Sequence, residues 1–436
     1  MLRALSYRNY RLFFGGQVVS LVGTWITTTA TNWLVYRLTG SALLLGIVGF
    51  AGQFPAFLLG PLAGIYVDRW NRHRLLVVTQ TVSMLQSFAL AALTLSGRIT
   101  IGWIVALSIV QGVVNAFDMP GRQAFLLTMI ENRQDLGNAI ALNSSMVNVA
   151  RLVGPSVAGV LIASAGEGWC FLIDGFSYVA VIISLLRMRI ANVAPPAIAR
   201  RAIQQFREGF AYAFGFPPIR SIILLLALVS LVGVPYSVLM PVFATQIFHG
   251  GPHTLGLLMT ASGCGALLGA LWLAARRSVV GLGRVIPIAS ALFGAGLIAF
   301  ALVRTLRTSA MLWIALPCLT VAGFGFMVQM AASNTVIQTI VDDEKRGRVM
   351  SFYTMAFLGT VPFGSLIAGS LSSRIGAPDT LILGGICCII GGAVFARSLP
   401  MLRTYVRPIY VKLGIIPEVS SGLATAAELS VPPERN

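Results

Sequence analysis

Three ionisable side chains stand inside stretches that are otherwise apolar: Asp118, Arg151 and Asp174. A charge in a bilayer interior is costly unless it faces a cavity or a partner, so each is a candidate for function. Burial and a neighbouring arginine act in opposite directions on a carboxyl group. Shifting that balance between two conformations couples a proton to a movement. Asp118 lies one helical turn from Arg122, which makes it either a proton-coupling carboxylate or half of a helix-end ion pair. Asp174 is either a coupling site or an interfacial hydrogen-bond acceptor. Arg151 falls about twelve residues into its segment, near mid-depth at a rise of about 1.5 Å per residue. It could meet an anionic substrate group, pair with a mobile carboxylate, or act as a fixed strut.

Uncharged polar residues surround these three in sequence. Thr24, Thr27, Thr28 and Thr31 recur at helical spacing, and Asn32, Gln53, Gln111, Asn115, Asn143 and Asn148 add amides in the first, second, fourth and fifth segments. With Trp25 and Tyr236 they would line a cavity for an amphipathic cargo; singly, each also serves as interhelical glue.

The elements that must position these groups are about twelve apolar segments. They lie near 11–36, 41–66, 75–96, 101–121, 139–163, 169–187, 219–247, 254–275, 285–303, 309–333, 349–372 and 379–398. Each is long enough to cross a bilayer, which takes roughly 20 apolar residues. Residues are 56% hydrophobic and 10% charged, with a mean hydropathy of +0.84. The expected fold is therefore all-α and integral to the membrane, as two pseudo-symmetric six-helix bundles. Residues 1–190 form the first bundle, 191–218 a central loop, 219–400 the second bundle and 401–436 a tail. Within the loop, Gln204–Phe214 is expected as a short amphipathic helix. Pro235, Pro241 and Pro362 are expected to bend their helices, and Gly384-Gly385 and Gly391-Gly392 to mark close packing.

The net charge of +17 would suggest nucleic acid in a water-soluble chain. Here it follows topology. Arg69, Arg72, Arg74, Arg122, Arg133, Arg276, Arg277, Arg284, Lys345, Arg346 and Arg348 all fall in alternate connections. Basic residues retained in the cytoplasm then place both termini inside. Other classes are excluded or disfavoured. Neither Lys345 nor Lys412 completes a phosphate-binding GxxxxGK[ST] loop, so no ATPase motif is present. No nucleophile–base set, metal-ligand cluster or CxxC spacing points to an enzyme, a resident metal or a cofactor. A non-transporting membrane sensor or an intramembrane enzyme is the alternative from another class.

The halves repeat. At an offset of 210, Gly137, Gly154, Gly159, Gly166 and Gly175 align with Gly347, Gly364, Gly369, Gly376 and Gly385. Between the second and third segments the chain reads Gly60-Pro-Leu-Ala-Gly64-Ile-Tyr-Val-Asp68-Arg69-Trp-Asn-Arg72-His-Arg74. This resembles the signature loop of the major facilitator superfamily. The resemblance implies that Gly60 and Gly64 admit a neighbouring helix and that Asp68 latches the inner side shut. The counterpart Gly265–Gly269 keeps its glycines but has Leu273 and Ala274 where Asp and Arg would fall. Asn115-Ala-Phe-Asp118-Met-Pro120-Gly-Arg122, Leu136–Asn143 and Asn148–Gly159 resemble the transmembrane secretion effectors, which include enterobactin exporters and macrolide-efflux proteins. Gly154-Pro155 with Ala158-Gly159 is similar to an incomplete fifth-helix signature of proton-coupled antiporters. The resemblance implies a bacterial inner-membrane monomer. It would export a small amphipathic drug or siderophore-like metabolite, powered by the proton gradient and without a cofactor. Uptake or facilitated diffusion by the same fold is the nearer alternative.

Overall fold

The computed structural model describes residues 3–416 apart from 131, 133, 134, 190–201, 277, 307 and 309. It describes the backbone alone at 61, 62, 64, 65, 68, 69, 127, 202–208, 343 and 344. Among the described residues the chain is helical, with no strand. The first half holds α1 (Arg8–Thr39), α2 (Ala42–Arg69), α3 (Arg72–Leu95), α4 (Ile101–Met129), α5 (Leu136–Ala165) and α6 (Glu167–Leu186). The central segment forms α7 (Ala202–Gly215). The second half runs α8 (Pro217–Val232), α9 (Tyr236–Val242), α10 (Pro252–Ala274), α11 (Leu282–Leu302), α12 (Met311–Ile340), α13 (Asp343–Leu358), α14 (Val361–Ile375) and α15 (Ala377–Lys412).

Eleven of these helical units are long and apolar enough to cross a membrane. The other crossing is α1, which is 32 residues long; its threonines, amides and arginines lower its apolarity but not its reach. Two crossings are broken where proline was expected to act. The seventh is interrupted at Gly233–Pro235 between α8 and α9, and the eleventh at Gly359–Thr360, just before Pro362 in α14. A proline lacks the N–H that an uninterrupted helix would need there. Pro155, by contrast, lies inside an unbroken α5. The last helix continues to Lys412, through residues expected to begin the tail.

The glycine repeat is a repeat of environments. A Cβ on Gly159 would come 2.9 Å from the Pro252 carbonyl oxygen and 3.0 Å from the Gly256 Cα, while one on Gly369 would come 2.6 Å from the Ala42 oxygen and 2.9 Å from the Gly46 Cα. Thus α5 packs on α10 as α14 packs on α2. Gly154 meets Trp25 of α1 as Gly364 meets Leu231 of α8, and Gly175 meets Phe88 of α3 as Gly385 meets Gly294 of α11. Gly166 and Gly376 both adopt positive φ, at 90° and 87°, where they turn one helix into the next. A side chain there would be strained.

Those two crossings, α2 on α14 and α5 on α10, carry most of the contact between the halves, with α9 touching α1 and α2 beside them. Gly46 and Gly49 touch Ser365, and Gly256 touches Pro155 and Gly159, all in the half of the bundle near the Gly40 turn. Further along α2, Phe50, Phe54 and Phe57 surround Phe363 of α14, with ring centroids 5.7–5.9 Å apart. Toward the opposite, Arg-rich end the contact between the halves thins among the described residues. Gly15, Gly60, Gly137 and Gly347, on α1, α2, α5 and α13, have nothing within 4 Å of where a Cβ would stand. The halves therefore form a wedge, shut at the Gly40 end and open at the Arg-rich end. At that end α7 docks on the second half. Gly209 lies against Arg348 and Phe352, Phe210 and Phe214 pack on the Phe352 ring, and the Lys345 ammonium sits 4.3 Å over the Tyr212 ring.

Candidate functional site

The three charges expected inside the membrane come to three different settings, all in the first half. Asp118 is 2% exposed. It accepts from the Thr79 hydroxyl at 2.8 Å and the Gln80 amide at 2.7 Å, and is ion-paired with Arg122. Arg122 in turn donates to Gln17 Oε1 at 2.6 Å. The guanidinium and the amide can only donate to it, so this cage suits a carboxylate. Asp118 is thereby a buried joint between α1, α3 and α4.

Asp174 is 1% exposed. Thr27 of α1 and Ser87 of α3 each donate to it at 2.9 Å, while the Ser177 hydroxyl donates to the Asp174 backbone carbonyl at 2.7 Å and lies 3.4 Å from Oδ1. Among the described residues it has no basic partner within ion-pair distance. A hydroxyl donates to a carboxylate and accepts from a carboxylic acid equally well. Its three partners can therefore serve either protonation state by rotating. The packing leaves no slack, since a Cβ on Gly23 would fall 2.5 Å from Asp174 Oδ1.

Arg151 is half-buried near the apex of the wedge. Its guanidinium carbon stands 5.7 Å from the Trp25 ring centroid and 5.6 Å from the Phe326 centroid. Trp25 belongs to α1 of the first half and Phe326 to α12 of the second, so a cation–π sandwich spans the seam. No carboxylate of a described residue pairs with it. Its partners in the repeat are apolar: at the same offset Arg151 aligns with Val361, and Asp174 with Gly384. The charge-bearing half and the plain half are thus distinct.

The remaining expected residues divide. Trp25, Asn32, Gln53 and Asn143 are half-buried, and Thr28 is exposed with its hydroxyl turned back to the Thr24 carbonyl. Asn148 likewise donates to Ser144 of its own helix, and Gln53 to Gly49. Gln111 and Asn115 bond to each other, and Gln111 reaches Ser83, so both belong to the α3–α4 seam rather than to the wedge wall. Tyr236 is 4% exposed with its hydroxyl bonded to Ser262; it ties α9 to α10 and lines no open surface. Gly60 has no neighbour at its Cβ position, so the expected close approach is absent in this arrangement. The degenerate counterpart does pack tightly, because Gly265 and Gly269 lie against Thr320 and Phe324 of α12. Of the signature loop, Arg72 reaches the Ala124 carbonyl at 3.5 Å, and Asn71 caps α3 by accepting from the Arg74 N–H. The surroundings of Gly64 and the side chains of Asp68 and Arg69 lie outside the described residues.

One set of residues was missed. Thr79, Gln80, Ser83, Gln86 and Ser87 are all buried and form one face of α3. Their spacing is i, i+1, i+4, i+7, i+8, which is the period of a helix face. That pattern was present in the sequence; lacking charge, it drew no attention.

Comparisons with known proteins agree on the family. The family profile for transmembrane secretion effectors matches residues 2–405. The Staphyloferrin A transporter of Staphylococcus aureus is 27% identical over 388 residues, covering 88% of this chain and 95% of the relative. The multidrug efflux pump Tap of Mycolicibacterium fortuitum is 26% identical over 393 residues, covering 87% and 93%. Among solved structures, a bacterial homologue of the lysosomal transporter Spinster, inward-facing and unoccupied, superposes with a TM-score of 0.68 at 16% identity, covering 92% and 98%. A bacterial homologue of the iron transporter ferroportin covers 89% and 98% in both its states. Its inward-facing form gives 0.67 at 16% identity and its outward-facing form 0.58 at 17%. The fold is common to all of these.

Proposed function

The chain belongs to the transmembrane secretion effector family of major facilitator transporters, and we propose that it exports a small amphipathic molecule in exchange for protons. It is a multi-pass membrane transporter and not an enzyme. In this reading both termini and the Arg-rich end face the cytoplasm, so the wedge is open inward. Cargo enters between the halves and rocks outward as the seam at the Gly40 end parts and the Arg-rich end closes.

Asp174 carries the proton part of the reading. A buried carboxyl group held only by hydroxyls can gain and lose a proton without leaving a partner unsatisfied. Asp118, clamped by Arg122, is assigned as a structural joint. Arg151 is assigned to the cargo: its guanidinium offers five donors beside two aromatic faces, which suits an anionic or π-rich group on an amphipathic molecule. The efflux direction is supported by the relative named as an efflux pump, and the cargo class by that pump together with the Staphyloferrin A transporter. Whether the cargo is drug or metabolite is a choice between molecules of one chemistry.

The test is cellular. Expression in a pump-deficient bacterial host should lower the steady-state content of a fluorescent amphipathic drug, and a protonophore should restore it. Lowered drug content that withstands a protonophore would defeat the proton-driven reading, and raised content would reverse the direction.

A further inference from the structure

Between Asp174 and Asp118 the buried face of α3 presents Ser87, Gln86, Ser83, Gln80 and Thr79. It covers about 12 Å, eight residues at about 1.5 Å each. The ends of this face are bonded to the two carboxylates: Ser87 to Asp174, and Thr79 and Gln80 to Asp118. Gln86 Oε1 lies 3.4 Å from the Ser87 hydroxyl oxygen as an alternative acceptor when that hydroxyl turns from Asp174, and Gln111 donates to Ser83 at 3.2 Å. Two amide acceptors along this route, Gln80 Oε1 and Gln111 Oε1, have no protein partner among the described residues, each with its oxygen sealed from the surface. Gln80 itself is 1% exposed. An unpartnered buried amide oxygen costs about 1–3 kcal/mol, and ordered water is what satisfies such groups in protein interiors.

We propose that this face of α3 is a water-bearing proton path joining Asp174 to the Arg-rich end past Asp118. It rests on the reading of Asp174 as the proton site. When the wedge is open, the Asp174 carboxyl gives its proton through the Ser87 hydroxyl, which accepts one proton as it passes on its own. Waters held by Gln111 and Gln80 relay it past Asp118 to bulk water at the Arg-rich end, leaving Asp174 as the carboxylate. The Asp118–Arg122 ion pair orders the waters at the exit. The titratable groups facing this route from the packed helices are Asp118 and Arg122 on α4 and Asp174 and Tyr178 on α6. Tyr178 is buried one helical turn from Asp174. His73, at the Arg-rich end of α3, is held to the Leu185 carbonyl at 2.8 Å.

The test is a pH jump on the purified full chain in lipid nanodiscs, followed by time-resolved infrared spectroscopy. The carboxylic C=O band that disappears in Asp174→Asn reports the site. In the double variant Ser83→Ala with Gln111→Met, and separately in Gln86→Met, that band should keep its equilibrium amplitude. Its rate should fall by about tenfold or more, equivalent to about 1.4 kcal/mol of added barrier. Wild-type rates in both variants would overturn the path while leaving Asp174 as the proton site. Absence of any Asp174 band in the wild type would overturn the proton-site reading, and the path with it.

Discussion

At the scale of single residues, two buried aspartates of the same half differ by what surrounds them. Asp118 has a guanidinium and an amide that can only donate, so removing its charge leaves Arg122 without its counter-ion. Breaking such a pair from one side costs about 3–5 kcal/mol when both partners are buried, and Arg122 is 26% exposed, so about 2–3 kcal/mol is expected here. Asp118→Asn should therefore lower the thermal midpoint of the purified protein; an unchanged midpoint would show that the cage is not a joint. Asp174→Asn should melt near the wild type, yet lose pH-gradient-driven transport while keeping cargo exchange between equal pools. Loss of both activities would place Asp174 in cargo binding instead. Arg151 is legible in sequence as a mid-membrane charge, but its partners were not, because Trp25 and Phe326 come from different halves. Arg151→Lys keeps the charge and loses the planar face. It should weaken binding of an anionic aromatic cargo by about tenfold, or about 1.4 kcal/mol, as measured by titration calorimetry; unchanged affinity would remove Arg151 from the cargo site.

At the scale of elements, the helices and their repeat could be read from the sequence because both are one-dimensional signals. A run of about 20 apolar residues spans the hydrocarbon, and Gly159 and Gly369 leave room for α10 and α2 at matching depths. The breaks at Pro235 and Pro362 were legible for the same reason. The buried stripe on α3 was not singled out, since hydroxyls and amides inside a membrane helix also serve as ordinary glue. Nor could Gly60 be judged, because its contact depends on which end of the molecule is shut. The glycine crossings give a direct expectation. Gly256→Leu should force α10 from α5, with an overpacking cost of about 1–3 kcal/mol. Ala42, 8% exposed at the other crossing of the same end, is the reporter position as Ala42→Cys. In a background lacking the five native cysteines, adding Gly256→Leu should raise its labelling by a membrane-impermeant maleimide. Labelling that stays low would mean that the seam at the Gly40 end does not open as a unit.

At the scale of the whole molecule, function follows from a wedge whose two halves are alike in fold and unlike in chemistry. The second half repeats the glycine architecture and carries no counterpart of Arg151 or Asp174, so in the proposed mechanism the first half holds the chemistry and the second supplies a wall that moves. Ser156 of α5 and Thr260 of α10 have their hydroxyl oxygens 2.5 Å apart across the closed end. A disulfide between Ser156→Cys and Thr260→Cys should arrest transport by holding that end shut, and reduction should restore it. Full activity in the cross-linked protein would contradict rocking of the halves about the seam. The most direct measurement of the central claim is proton movement in proteoliposomes carrying the purified chain. A panel of amphipathic drugs and siderophore-like compounds would be added, with Asp174→Asn alongside the wild type. The account predicts proton flux that appears only with a transported compound and vanishes in Asp174→Asn. A compound that crosses with no accompanying proton flux would contradict it and leave a facilitator.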